Sequence, residues 1–336
     1  MQNSFWEKLK KPFFVLAPMA DVTDTAFRRV IAKYGKPDVM WTEFVSADGL
    51  AHPVAREKLK RDLEYTEGER PIVAQLFGGN PEKMEMAARL CAELGFDGID
   101  INMGCPDKTI EKQGAGAATI KSPELAKQII EAARRGAIGK NKQALPVSVK
   151  TRIGFNKEEI NTWIRFLLEQ KLPALTVHLR TRKEMSAVPA HWELMPEIIK
   201  LRDEISPETL ILGNGDIKDL EDAKEKAKQF KCDGVMLGRA IFGNPWLFSG
   251  GKRSDLKSPK RSDLEEPDVK EKLSVMVEHT KLFEELLGDI KSFSIMKKHY
   301  KAYVNGFDGA KELRVRLMEE ATNASDVERI VNEFLK

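Results

Sequence analysis

Between Asn102 and Ala118 the chain reads NMGCPDKTIEKQGAGAA, which sets Cys105 between Gly104 and Pro106 and follows it nine residues on with a Gly-Ala-Gly turn. The glycine and proline fix the path of the loop while leaving the sulfur reachable, an arrangement for a reacting thiol rather than a packed one. Cys91 in AARLCAELG and Cys232 in FKCDG read instead as small buried hydrophobes. Lys150 and His178 fall in two successive β-rich runs, PVSVKT and ALTVHL, and side by side they present two cationic or donor groups. Such a pair favours negative charge developing on a flat ring, as the N1 and C2-carbonyl edge of a reduced flavin requires. Gln75 can donate and accept across the same ring's amide edge. A packed core histidine is the competing reading of His178. The segments GNGDI and GRAIFGNPW bring Asn214, Gly215, Asp216, Gly238 and Arg239, where glycines let the backbone approach a phosphate and an arginine adds charge.

These residues need a scaffold that gathers strand ends. Eight β-rich runs recur, FFVLAP (13–18), VMWTEF (39–44), IVAQLF (72–77), GIDIN (98–102), PVSVKT (146–151), ALTVHL (174–179), LILGNG (210–215) and GVMLG (234–238). Helical patterns with polar or proline starts fall between most of them, among them TDTAFRRVIAKYG, PEKMEMAARLCAELG, SPELAKQIIEAARR and KEEINTWIRFLLEQ. The alternation predicts an α/β fold, and eight strands predict a (β/α)8 TIM barrel with its chemistry at the carboxyl ends of the strands. Those ends read Pro18-Met19-Ala20, Glu43, Gln75, Asn102 with Cys105 beyond it, Lys150 and Arg152, His178 and Arg180, Asn214 and Asp216, and Gly238-Arg239. A doubly wound open sheet would carry a Gly-rich nucleotide fingerprint after its first strand, and APMADVTD is not one. The barrel is expected over residues 1–248. A polar linker containing KRSDL twice follows over 249–267, and residues 268–336 carry four helical patterns that predict a small all-α helical bundle.

The segments APMADVTDTAFRR, NMGCPDKTIEKQGAGAA, VKTRIGF, TVHLRTR and DGVMLGRAIFGNPWLF resemble the successive motifs of the tRNA-dihydrouridine synthases, flavin-dependent barrels that reduce uridine in tRNA. The resemblance runs from about Ala17 to Phe248 and more loosely through MKKHYKAYVNGFDGAKELR. It implies that Pro18, Met19, Ala20, Gln75, Lys150, His178, Asn214, Gly215, Asp216, Gly238 and Arg239 bind FMN, and that Cys105 is the proton donor. It also implies that Asn102 and Arg152 help hold the target base or the flavin, that Arg180 serves the substrate, and that NADPH or NADH supplies the electrons. Hydride passing from flavin N5 to C6 of the uracil leaves C5 to be protonated from the opposite face, and a thiol of pKa about 8.5 still holds its proton at pH 7. One segment departs from the family pattern. After His178 a Gly, then a Gln or Tyr and a further Gly are usual, whereas this chain reads HLRTRKEMSAVPAHW, which puts that loop's substrate contacts in question.

The 55 basic and 52 acidic residues leave a net charge of +3, so a nucleic-acid surface must come from local clustering. Lys291 to Arg316 holds seven Lys or Arg against two acids, and Lys297, Lys298, Lys301, Arg314 and Arg316 are expected to contact tRNA, with Tyr300 and Tyr303 interleaved. A solvated helix face with the tyrosines packed inward is the bland alternative. Three cysteines far apart offer neither a disulfide framework nor zinc spacing, so no metal is expected and a reducing cytoplasm fits. The apolar run after KLKKP is short and broken by Pro12 and Pro18, which argues against a signal peptide, and no run spans a membrane. A monomer is expected. Two rival functions remain: an FMN-dependent barrel reductase or dehydrogenase acting on a small pyrimidine or enone, and a non-catalytic RNA-binding protein on a relict barrel.

Overall fold

The computed structural model describes residues 4–139, 144–249 and 268–336. Apart from Ser249, the expected linker lies outside the described residues. All eight β-rich runs form strands: β1 Phe13–Leu16, β2 Met40–Ser46, β3 Ile72–Phe77, β4 Gly98–Met103, β5 Val147–Arg152, β6 Ala174–His178, β7 Leu210–Asn214 and β8 Gly234–Leu237. They pair in parallel in the order β1-β8-β7-β6-β5-β4-β3-β2, and a parallel bridge from Val15 to Val39, just ahead of β2, closes the ring. The helices are α1 Thr25–Tyr34, α2 Ala47–Ala51, α3 Pro53–Leu59, α4 Pro81–Glu93, α5 Lys108–Glu111, α6 Pro123–Gly136, α7 Arg165–Glu169, α8 Met195–Ile205, α9 Leu220–Phe230, α10 Val269–Leu287, α11 Ser294–Tyr303, α12 Ala310–Glu319 and α13 Ala324–Phe334.

The strands are short apolar runs because both of their faces are covered. Alternate residues, Phe13, Val15 and Ala17 with Trp41, Val73, Ala174, Leu212 and Met236, cluster around Trp6 of the amino-terminal turn and fill the lower barrel. The intervening residues meet the surrounding helices in the largest core cluster. Apolar packing below therefore leaves polar side chains to the upper ends. β2 carries a one-residue bulge between Trp41 and Phe44, which re-aims Glu43.

The expected helix over 157–170 opens as a π-helix, Ile160–Ile164, and only then becomes α7. Trp163 in that wide turn is buried and donates from Nε1 to Thr151 Oγ1 at 2.8 Å. Helices α10 to α13 share a second core that includes Ala26 and Val30 of α1 together with Trp246, so the bundle docks on the first barrel helix. Tyr300 and Tyr303 are buried in this core; they face inward and leave the basic side chains without interleaved aromatics.

Candidate active site

The cysteine loop is built from short-range contacts that the motif encodes. Asn102, at the end of β4, accepts at Oδ1 from the N–H of Gly104 at 3.1 Å and of Cys105 at 2.9 Å. Asp107 caps α5, accepting from Thr109 N at 2.8 Å and Ile110 N at 3.2 Å. The Cys105 carbonyl accepts from Ala117 N at 2.9 Å, a bond that only a glycine at 116 permits, since a Cβ there would lie 2.7 Å from that same oxygen. Gly116 also sits at φ +59. The Gly-Ala-Gly turn is thus the support on which the cysteine corner rests. Burial pushes the half-buried Cys105 thiol above its ordinary pKa, with the Asp107 N–H, Arg152 and Lys150 opposing, and the thiol keeps its proton at neutral pH.

Beneath the loop lies a residue that a reading of strand ends passes over. Asp100 is fully buried in β4, accepts from Ser148 Oγ at 2.6 Å and from Gln75 Nε2 at 2.7 Å, and is pushed up to about 6 by burial against those two hydrogen bonds and the Lys150 charge. Gln75 Oε1 in turn accepts from Asn102 Nδ2 at 3.0 Å. A carboxylate only accepts, so Asp100 sets which way the Gln75 amide faces, and Gln75 sets Asn102. The signal for Asp100 in the sequence is an acid two residues before Asn102, on the same face of β4.

Lys150 is half-buried, and among the described residues its Nζ has no hydrogen-bond or ion-pair partner. Burial, then the neighbouring Arg152, lower its pKa to about 8, with Asp100 opposing. His178, across from Arg152 in the strand register, is held well below its usual pKa by burial and by Lys150, Arg152, Arg180 and Arg239. The pair is therefore one cation and one neutral imidazole. Arg180 Nη1 lies 3.1 Å from His178 Nε2, and because guanidinium only donates, the remaining ring proton stays on Nδ1.

The two inner arginines are committed to the protein. Arg152 donates to the carbonyls of Gly104 at 2.8 Å, Thr181 at 3.0 Å and Met185 at 3.0 Å, joining the cysteine loop to the atypical loop after β6. Arg180 donates to Val188 O at 2.6 Å and pairs with Asp216. Asp216 also accepts from Arg239 Nη2 at 2.7 Å, and these arginines hold its carboxyl below the usual range. Asn214 donates to Met236 O at 2.8 Å, and the Gly215 carbonyl accepts from Trp192 Nε1 at 2.8 Å. On the far side of the mouth, Met19 exchanges hydrogen bonds with Thr23 in the turn after β1, which also carries Pro18 and Ala20. Gly238 faces Ala17 and Met19, whose nearest atoms would be 3.7 Å from a Cβ, an ordinary contact distance. A cleft of about 1040 Å³ lies at the other end of the barrel, lined by Phe5, Phe96, Arg134 and Pro146, away from every residue expected to react.

The basic stripe divides. Lys301 is exposed, Lys297 reaches Met318 O at 2.6 Å, and Lys298 reaches across to Asp21 of the barrel at 3.0 Å. Arg314 donates to Val304 O at 2.7 Å, and Arg316 is paired with Glu320 at 3.0 Å and with Glu333 at 2.6 Å.

Residues 15–336 match the family model described as Dihydrouridine synthase (Dus). The chain is 41% identical over 336 residues to the "Probable tRNA-dihydrouridine synthase 2" of Bacillus subtilis (strain 168), covering 99% of this chain and 97% of that one. It is 41% identical over 336 residues to the "Probable tRNA-dihydrouridine synthase" of Staphylococcus aureus (strain MRSA252), covering 99% and 96%. Among solved structures, that of a morphinone reductase mutant in complex with tetrahydroNAD is similar over 70% of this chain and 85% of its own, at 13% identity and a TM-score of 0.49.

Proposed function

This chain belongs to the dihydrouridine synthase family, and we propose that it reduces the C5=C6 bond of uridines in tRNA with bound FMN and with NADPH or NADH as reductant. What carries this reading is the gathering, at one barrel mouth, of an unpartnered Lys150, a neutral His178 donor and a protonated Cys105 thiol. The donor set suits a flavin. Lys150, His178 and Gln75 would hold its electron-rich edge, Asn214, Gly215, Asp216, Gly238 and Arg239 its phosphate, and the turn Pro18-Met19-Ala20 the side beside Gly238. Bound there, FMN supplies the two electrons that reduce the base.

The chain's own residues supply the remainder. Lys150, still largely protonated below pH about 8, stabilises negative charge at the mouth. Cys105 Sγ holds the proton that C5 receives, and the hydrogen bonds of Asn102 and Arg152 keep its loop in place. Arg152 and Arg180 serve the substrate by fixing the cysteine loop and the loop after β6 around the entering nucleotide. Lys297, Lys298, Lys301, Arg314 and Arg316 are the tail cations assigned to RNA phosphates, with the exposed Lys301 the least committed of them to the protein. The protein acts as a cytoplasmic monomer. Among the described residues no helix is long and apolar enough to cross a membrane.

The test is purification of the full chain and assay of tRNA lacking dihydrouridine with NADPH. A yellow protein that forms dihydrouridine in tRNA and leaves free uridine untouched is the expected result. Equal activity on free uridine would identify a small-molecule reductase instead, and a colourless protein that cannot be loaded with FMN would overturn both.

A further inference from the structure

Of the polar strand ends, Glu43 alone has no place in the cofactor or substrate set. The β2 bulge turns its carboxylate toward the turn after β1, where Oε1 accepts from the backbone N–H of Asp21 at 2.5 Å. Its other oxygen accepts from Lys291 Nζ at 2.6 Å, and the same Nζ lies 2.9 Å from Asp62 Oδ1. Glu43, Asp62 and Lys291 are largely enclosed, with side-chain exposures of 8%, 19% and 14%. Lys291 comes from the segment between α10 and α11, 248 residues along the chain from Glu43. Burial raises the pKa of Glu43 with Lys291 opposing, and although burial disfavours the lysine's charge, its two carboxylates hold it above the ordinary range.

The turn so gripped needs holding. Asp21 adopts φ +53, a left-handed conformation that side chains with a Cβ disfavour. Its side chain is engaged by Lys298, a second cation from the bundle. Just before it stand Pro18, Met19 and Ala20, and just after it Asp24 caps α1 through Phe27 N at 2.9 Å. A lysine neutralising two enclosed carboxylates is more than a surface ion pair, since its removal leaves like charges facing each other under a strained turn.

We propose that Lys291 is a positioning residue of the cofactor site: from the helical bundle it holds Glu43, and through Glu43 the backbone of the turn that follows Pro18-Met19-Ala20. The bundle is then part of the flavin site as well as a grip for RNA. This inference rests on the flavin reading of that turn.

The experiment compares full-length Lys291→Met, Lys291→Arg and Lys33→Met. Lys33 of α1 pairs with Glu278 of α10 at 2.7 Å, a separate ion pair between barrel and bundle with no bond to the turn, so it controls for interface loss alone. The readouts are hydrogen exchange of the segment 17–24 without flavin, and FMN dissociation constant and visible spectrum with it. Lys291→Met should speed exchange at Asp21 and weaken FMN roughly ten- to hundredfold, the scale of losing a hydrogen bond to a charged group. Lys291→Arg should recover most of this, and Lys33→Met should leave both unchanged. Wild-type exchange and FMN affinity in Lys291→Met, or an equal loss in Lys33→Met, would overturn the proposal. Should Lys291→Met not fold, Glu43→Gln keeps an acceptor for Asp21 but loses the charge, and an unchanged FMN affinity there would also overturn it. Failure of the flavin reading would show separately, as a wild-type chain without affinity for FMN, while the exchange data still decide whether Lys291 anchors the turn.

Discussion

Replacing Gly116 by alanine tests whether the Gly-Ala-Gly turn exists for the sake of the cysteine. A Cβ at 116 would sit 2.7 Å from the Cys105 carbonyl oxygen, 2.9 Å from Ile110 Cγ2 and 3.3 Å from Cys105 Cβ, so the cysteine backbone must retreat by about 0.7 Å to regain ordinary contact. The left-handed φ costs about 1–2 kcal/mol, and the overpacking adds about 1–3 kcal/mol, for a loss of roughly 2–5 kcal/mol. Gly114 provides the contrast: it also has positive φ, at +72, but a Cβ there would meet only Leu125 Cδ2 at 3.7 Å. Gly114→Ala should therefore lose about 1–2 kcal/mol and leave the cysteine where it is. Urea denaturation gives the stabilities, and single-turnover reduction of tRNA gives the chemistry. Displacing a reacting group by about 1 Å costs on the order of a hundredfold, so Gly116→Ala should approach that loss while Gly114→Ala stays within a few fold. Equal turnover in the two variants would refute the claim that this turn positions Cys105.

Cys105→Ala should bind FMN and accept electrons from NADPH normally but reduce tRNA at least about a hundredfold more slowly, whereas Cys91→Ala should turn over nearly as wild type; rapid-kinetic absorbance of the two half-reactions separates these effects. Asp100 has a folded pKa of about 6 against an ordinary 3.8, so the folded chain retains a proton that the unfolded chain has lost, and this group's contribution falls as pH rises from about 4 to 6. Asp100→Asn should remove up to roughly 3 kcal/mol of that fall; denaturation midpoints of wild type and variant that run parallel across this range would contradict the assignment. Neutralising Lys297, Lys298 and Lys301 together should lower the slope of log affinity for tRNA against log salt by up to about one unit per lost phosphate contact. Arg316→Gln, which removes a cation already paired with Glu320 and Glu333, should change the slope little, and filter binding across a salt series reads both.

Much of this architecture is legible in the chain because barrels write themselves locally. A strand covered on both faces must be a short apolar run, and the polar residues that close each run mark its carboxyl end, which is what singles out Gln75, Lys150, His178 and Asn214. The cysteine loop is legible for the same reason, since apart from the bond from Arg152 to Gly104 O the hydrogen bonds that shape it join residues within about a dozen positions of Cys105. Charge states are not. Whether His178 is a cation depends on how many arginines surround it, and two of the four cations lowering its pKa, Arg180 and Arg239, come from different loops. Contacts across long separations are equally hidden: nothing near Glu43 announces Lys291. The tail hides its arrangement in a third way, because helical spacing shows that α11 has two faces but not which one meets α10, and the tyrosines expected among the basic residues lie on the buried one.

The barrel has a seam. Neighbouring strands elsewhere in the ring pair over several residues, with one bulge between β2 and β3, but β1 meets the start of β2 through the single Val15–Val39 bridge, supplemented by Asp38, which donates from its backbone to Phe14 O at 2.9 Å and accepts from Phe14 N at 2.7 Å. A hoop opens most easily where it is least stitched, and in this ring that place lies between β1 and β2, beside the turn that carries Met19. Helix α1 spans that gap in sequence, and the carboxyl-terminal bundle is fastened to α1. The bundle therefore sits as a clasp over the joint, and loosening the clasp is expected to loosen the ring at the turn that carries Met19.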